Sequence, residues 1–291
     1  MDINTLLQWI DEMKLHRSSK AGTALKKPLL LLLLLSKIDR DENIKNKFHY
    51  KEVEAELDLI IKSFGNRTGR PNSFQPFHHL NSSPIWDLKL PEGVQLTSSK
   101  TAAVSLLRQE SVYGFINEEA FKLLEKDKRS RTILINYILE KYWPQTIQDE
   151  LRTYFNFSFY NPYKLVKRDP RFARHVLANF RYKCAMCGFQ ALFNQTPFGL
   201  DAAHILWHSF EGPSTIDNGL ALCKLHHWAF DKGVVTVLPD KKIKVSKHFI
   251  GAENTSQTFI EGLDGSDLLE WKEVEPSVEY FNWHNKNIFI S

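Results

Sequence analysis

Cysteine is scarce: 291 residues contain three. Three thiols cannot form a disulfide framework, and Cys184 and Cys187 stand in a C-x-x-C pattern, so the expectation is a reduced protein that commits its thiols to a metal. With 13 Gly and 12 Pro, the chain is neither collagen-like nor dominated by linkers. Long hydrophobic runs are lacking too. The one stretch that invites a membrane reading, Leu29 to Leu35, is bracketed by Lys26, Lys27 and Lys37 and is far shorter than the ~20 apolar residues a spanning helix needs. An all-round apolar helix of that length reads as the buried centre of a compact domain. Nothing near Met1 reads as a signal peptide. The expectations are therefore a cytoplasmic location and no membrane partner.

Hydrophobic residues at 43% and charged residues at 25% exclude a mostly disordered chain. The net charge of +4 is too mild to identify a nucleic-acid partner, but its distribution is uneven. From Lys164 to Lys183 the basic residues Lys164, Lys167, Arg168, Arg171, Arg174, Arg181 and Lys183 face one acid, Asp169, while acids gather towards the C-terminus. Such a stretch suits either a phosphate-tracking surface or a solvated helix face.

Apolar spacing predicts helices through most of the first half. Leu6, Leu7, Ile10 and Met13 share one face, and Val53, Leu57, Ile60, Ile61 and Phe64 share another. Asn117 before Glu118 and Glu119 reads as an N-cap with an acidic first turn. A further helix carrying Ile133, Leu134, Tyr137 and Ile138 ends at Pro144, and the next starts at Gln145. Between these groups, Asn66 to Pro91 is expected to be irregular, because Gly and Pro recur through it. Asn156 to Asp169 reads as a connector. Beyond it come a short helix from Phe172 to Phe180, a strand over Gly199 to Leu206, a helix from about Leu222 to Asp231, and strands over Val234 to Val245 turning at Pro239-Asp240. The fold class expected is α+β. A mainly helical domain over 1–165 is expected to precede a second domain over 166–291.

Cys184-x-x-Cys187 and Cys223-x-x-His226 carry the clearest chemistry. Two close pairs separated by a loop and strands are how a structural Zn²⁺ site is assembled, each pair giving two ligands of a tetrahedron. His204, Asn218 and His227 lie between and beside those ligands, and zinc does not need them. Adjacent helical residues point about 100° apart, so His226 can face zinc while His227 serves a second site.

In this order, His204, Asn218 and His227 with the flanking zinc pairs resemble the HNH nucleases, over roughly Phe180 to Val245. The resemblance implies a ββα-metal fold and an endonuclease using Mg²⁺ or Mn²⁺. It makes His204 the general base, Asn218 the residue that orients the active loop, and His227 a ligand of the catalytic metal. Where many members carry an acid before the first histidine, this chain has Ala203. Asp201 is the nearest acid, expected to face away from His204 on a regular strand, so His208 or Asp231 are the alternatives for completing the metal site.

The longer run Asp201 to His208, Gly212-Pro213, Asp217 to His227 and Phe230 to Gly233 resembles HNH nucleases fused behind a sulfur-binding domain. These are restriction enzymes acting on phosphorothioated double-stranded DNA. Lys27-Pro28 with the leucines after it, Pro76-Phe77 to Trp86, and Tyr142-Trp143-Pro144 are the matching pieces of the first domain. By resemblance Tyr142, Pro144, His78, His79, Arg70 and Arg171 are the reader candidates. Sulfur is softer and more weakly hydrated than oxygen, so an apolar dent of proline and aromatic rings can select it while Arg or His holds the phosphates. The alternatives are an HNH nuclease reading methylated or unmodified DNA, and a zinc-stabilised DNA-binding protein that does not cut. One HNH site cuts one strand, so a homodimer would serve a double-strand break.

Overall fold

The computed structural model describes residues 1–18, 22–41, 43–65, 70–157 and 170–291. The expected domain boundary near 165, most of the connector, and Lys164, Lys167 and Arg168 lie outside the described residues.

The N-terminal part is built from helices α1 (Ile3–Asp11), α2 (Lys26–Arg40), α3 (Tyr50–Phe64), α4 (Phe74–His79), α5 (Val104–Leu107), α6 (Glu118–Lys126), α7 (Lys128–Tyr142) and α8 (Gln145–Phe155). Two antiparallel ribbons interrupt them, β1 (Arg17–Ser18) with β2 (Gly22–Thr23) and β3 (Trp86–Lys89) with β4 (Tyr113–Ile116). α2 is the hub. Leu29 to Leu35 are each at most 1% exposed, because α3, α4, α6, α7 and α8 surround that helix. Arg131 of α7 meets Asp39 of α2 at 2.8 Å with both side chains buried, and its guanidinium also donates to the Leu124 carbonyl. A buried arginine is tolerable only with such partners. Asn117 caps α6 as expected, accepting from Glu119 N and Ala120 N.

The segment expected to be irregular is not. α4 and β3 both lie within 66–91. Pro76 is third in α4, where the backbone N–H has no intrahelical acceptor to lose, and Pro84 and Pro91 stand outside β3.

The C-terminal part begins with α9 (Pro170–Asn179) and the hairpin β5 (Leu192–Phe193) and β6 (Thr196–Pro197). There follow β7 (Leu200–His204), β8 (Gly219–Cys223), α10 (Lys224–Asp231), β9 (Val235–Val237), β10 (Ile243–Val245), α11 (Asn254–Phe259) and α12 (Val278–Asn287). β7 and β8 pair antiparallel from Leu200 opposite Cys223 to His204 opposite Gly219, so Leu222 and Cys223, read from sequence as helical, are strand. α9 lies across both strands so closely that a Cβ on Gly219 would sit 2.3 Å from Val176.

Buried apolar side chains form two clusters, one running from Leu6 to Phe155 and one from Phe172 to Phe281. Trp207 and Ile288 cross over, packing into the first. α8 meets α10 polar group to polar group: Glu150 pairs with Lys232 and accepts from Trp228 Nε1 at 3.4 Å, and Thr146 donates its hydroxyl to Asp231.

Candidate active site

Four ligands come together at the end of β8. The Sγ atoms of Cys184, Cys187 and Cys223 and a ring nitrogen of His226 all lie within 4.8 Å of one another. Cys184 and Cys187 share a tight turn closed by Gly188 N donating to the Cys184 carbonyl, with Gly188 at φ 72°. Cys223 caps α10 and His226 follows one turn on, its Nδ1 3.2 Å from Cys223 Sγ. His226 Nε2 donates to the Phe259 carbonyl at 2.9 Å, which leaves Nδ1 as the free lone pair, the usual outer-shell arrangement of a metal-binding histidine. Hydrogen bonds from Cys187 and Cys223 lower the Cys184 pKa despite burial. A Cys3His donor set of this geometry fits zinc.

His227, next in the helix, points elsewhere. Its Nδ1 is 3.1 Å from Asp201 and its Nε2 3.2 Å from Asp231. Burial opposes its protonation, but the two carboxylates outweigh that and push its pKa up to about 9. Asp201 is half-buried, which opposes its ionisation, yet donors on His227 and Lys224 hold its carboxyl below the ordinary range. β7 carries no bulge, and the strand's alternation holds. Asp201 reaches α10, while Ala202 and His204 line a cavity of about 120 Å³ with His227 and Asp231.

His204 stacks on Phe172 of α9, ring centroids 4.0 Å apart and planes 17° from parallel, and its Nε2 lies 3.2 Å from Ser214 Oγ. His208 meets it edge-on at 6.0 Å. Asn218 is fully buried. Its amide ties Leu206 N and O at 2.8 and 3.0 Å and donates to the Pro213 carbonyl at 2.8 Å, closing the loop after His204 on itself. Phe172 and Ser214 were not singled out from sequence. No local pattern marks them, because their contacts exist only once α9 and the loop pack on β7.

The reader candidates do not gather in one place. Tyr142 is buried, its hydroxyl donating to the Ile10 carbonyl. Pro144 opens α8 and lines the small cavity with His204. Arg70 and His79 line a separate cleft of about 710 Å³, together with Lys14, Lys26, Lys27 and Lys62. His78 is buried beside it and accepts from Ala102 N through Nδ1. Arg171 lies on the exposed face of α9.

Residues 3–156 match the family model of the ScoMcrA-like DNA sulfur-binding domain, and residues 184–238 match that of the HNH endonuclease. The C-terminal part is thus an HNH endonuclease domain, a metal-dependent class of nuclease. No curated protein matches the chain. Among solved structures, the sulfur-binding domain of ScoMcrA complexed with phosphorothioated DNA is 15% identical with a TM-score of 0.43, over 50% of this chain and 93% of that one. The sulfur-binding domain of SprMcrA complexed with phosphorothioated DNA is 19% identical with a TM-score of 0.42, over 54% and 98%. The modification-dependent TagI restriction endonuclease is 19% identical with a TM-score of 0.34, over 42% and 38%.

Proposed function

The chain belongs to the ScoMcrA-like DNA sulfur-binding family, and from that premise we propose that it is a restriction endonuclease recognising phosphorothioated DNA and hydrolysing phosphodiester bonds nearby. The carrying observation is that a sulfur-binding domain and an HNH endonuclease domain share one chain.

His204 takes the proton of the attacking water. Phe172 fixes the ring plane, and Asn218 fixes the loop that follows. Water's oxygen bonds to phosphorus, the bond from phosphorus to the leaving sugar oxygen breaks, and that oxygen leaves with a proton. His227 Nε2 and Asp231 face the cavity that holds His204, and one imidazole with one carboxylate suits Mg²⁺ or Mn²⁺. Asp201, bonded to the far ring nitrogen, orients His227. When bound, the cation stabilises charge on the phosphoryl oxygens. Zn²⁺ on Cys184, Cys187, Cys223 and His226 is structural.

For the reader, the cleft between Arg70 and His79 offers cations for phosphates and the rings of Pro71 and Pro76 for an apolar wall. Tyr142 does not line that cleft; its hydroxyl ties α7 to the Ile10 carbonyl of α1. The proposed domains are 1–165 and 166–291. The proposed setting is the cytoplasm, suited to free thiols, and two protomers or two visits make a double-strand break.

The test is cleavage of phosphorothioated and unmodified plasmid of one sequence, with and without Mg²⁺ or Mn²⁺. Cutting confined to the modified plasmid with cation is expected, and equal cutting of both plasmids would overturn the sulfur reading.

A further inference from the structure

The β5–β6 hairpin is well formed and buries nothing. Asn194 and Gln195 at φ 47° and 61° make its two-residue turn, a geometry that matches strand twist. Leu192 pairs with Pro197 and Phe193 with Thr196, so Leu192 and Pro197 lie on one face and Phe193 on the other. Leu192 is 66% exposed, Phe193 65% and Phe198 58%. Phe193 and Phe198 touch on one face, ring centroids 6.3 Å apart.

A patch for another protein needs one apolar face. A ribbon apolar on both faces is covered only by something that closes around it. The neighbouring charge says what that is: from Pro170 to Leu200 there is no Asp or Glu, while Arg174, Arg181 and Lys183 are exposed. Gln190 Nε2 donates to the Arg181 carbonyl, tying the base of the hairpin to that basic turn. Phe, Leu and Pro beside cations are the side chains with which proteins open a base step and hold the flanking phosphates.

We propose that the β5–β6 hairpin is a wedge by which the nuclease domain grips duplex DNA, its apolar tip entering a base step while the exposed Arg174, Arg181 and Lys183 hold the backbone. This rests on the nuclease reading for its partner. The hairpin runs through Gly199 into β7, whose span from Leu200 to His204 is about 13 Å at ~3.3 Å per residue. The wedge thereby fixes the duplex relative to the cavity from a point well outside it.

The experiment uses the full chain and a phosphorothioated duplex in which 2-aminopurine replaces adenine at successive positions, with no divalent cation added. The wild type is expected to raise fluorescence at least threefold at one or two adjacent positions. A variant carrying Leu192→Ser, Phe193→Ser and Phe198→Ser should lose that signal and cut at least tenfold more slowly with Mg²⁺ present. Its melting temperature and its preference for sulfur over oxygen should be unchanged. Wild-type cutting by the variant, or a bound wild type that brightens no position, would overturn the proposal. So would loss of self-association in sedimentation without loss of the fluorescence signal, which would assign the hairpin to a protein contact. A wild type that brightens the probe yet cuts nothing would instead sink the nuclease reading and leave the wedge standing.

Discussion

Thr146 donates its hydroxyl to Asp231, so a residue of the sulfur-binding domain holds a carboxylate in the nuclease cavity. Pro144, two residues earlier, lines that cavity, whose volume of about 120 Å³ leaves no room for a DNA backbone with its sugars. Parting α8 from α10 would open that cavity further.

Weakening that contact should therefore raise background cutting. Thr146→Val with Glu150→Gln is expected to increase cleavage of unmodified plasmid severalfold, since Glu150 loses its charge opposite Lys232. Unchanged background rates would show that the contact does not limit access.

His204→Ala should lower the cleavage rate by about 10²-fold or more, the contribution of a general base, with DNA affinity retained. Phe172→Leu is expected to keep measurable activity with a shifted pH profile, because it releases the ring plane without removing the base. Wild-type rates in His204→Ala, measured on nicked plasmid, would remove that residue from the mechanism. Asp201→Asn should weaken the dependence on Mg²⁺ less than Asp231→Asn, since Asp231 and not Asp201 lines the cavity.

Zinc should co-purify with the protein, and Cys184→Ser or Cys223→Ser should unfold the second domain, as metal binding supplies much of such a domain's folding free energy. His227→Ala should keep its zinc, because its ring faces Asp201 and Asp231. Elemental analysis without zinc would sink the structural assignment.

Arg70→Ala is expected to weaken binding to phosphorothioated and unmodified duplex alike and to flatten the salt dependence by about one phosphate contact. Preference of the wild type for sulfur should reach about tenfold, or ~1.4 kcal/mol. Equal affinities would return the cleft to an unidentified reader, and a preference lost on Pro144→Asp but kept in variants of the cleft would move the site to α8.

His284 offers a pH test of stability. It is buried against Phe230, donates from Nε2 to the Phe230 carbonyl and meets Thr236 at Nδ1. Burial depresses its pKa to about 4. The unfolded chain takes up the proton first, so this stability is complete above the ordinary histidine range and is lost as pH falls from about 6.5 towards 4. Urea denaturation at pH 7 and pH 5 should show a loss on the order of 1–2 kcal/mol. A His284→Gln variant should lose less.

Much of this was legible in the chain. Leu29 to Leu35 announced a buried helix because an all-apolar run has no face to show water, and Asn117 with its acids announced a helix start because capping is local chemistry. The cluster of Cys184, Cys187, Cys223 and His226 was legible for the same reason, since its spacing is set by one turn and one helix. Proline misled over Asn66 to Pro91, since its cost depends on whether the lost N–H had an acceptor, and Pro76 falls where none exists. Tertiary structure alone decided the rest. It set Asp201 against His227 and Phe172 against His204. It also carried Pro144 to the nuclease cavity, away from Arg70 and His79. Those relations join residues far apart in sequence, and packing between elements leaves no periodic trace in any one of them.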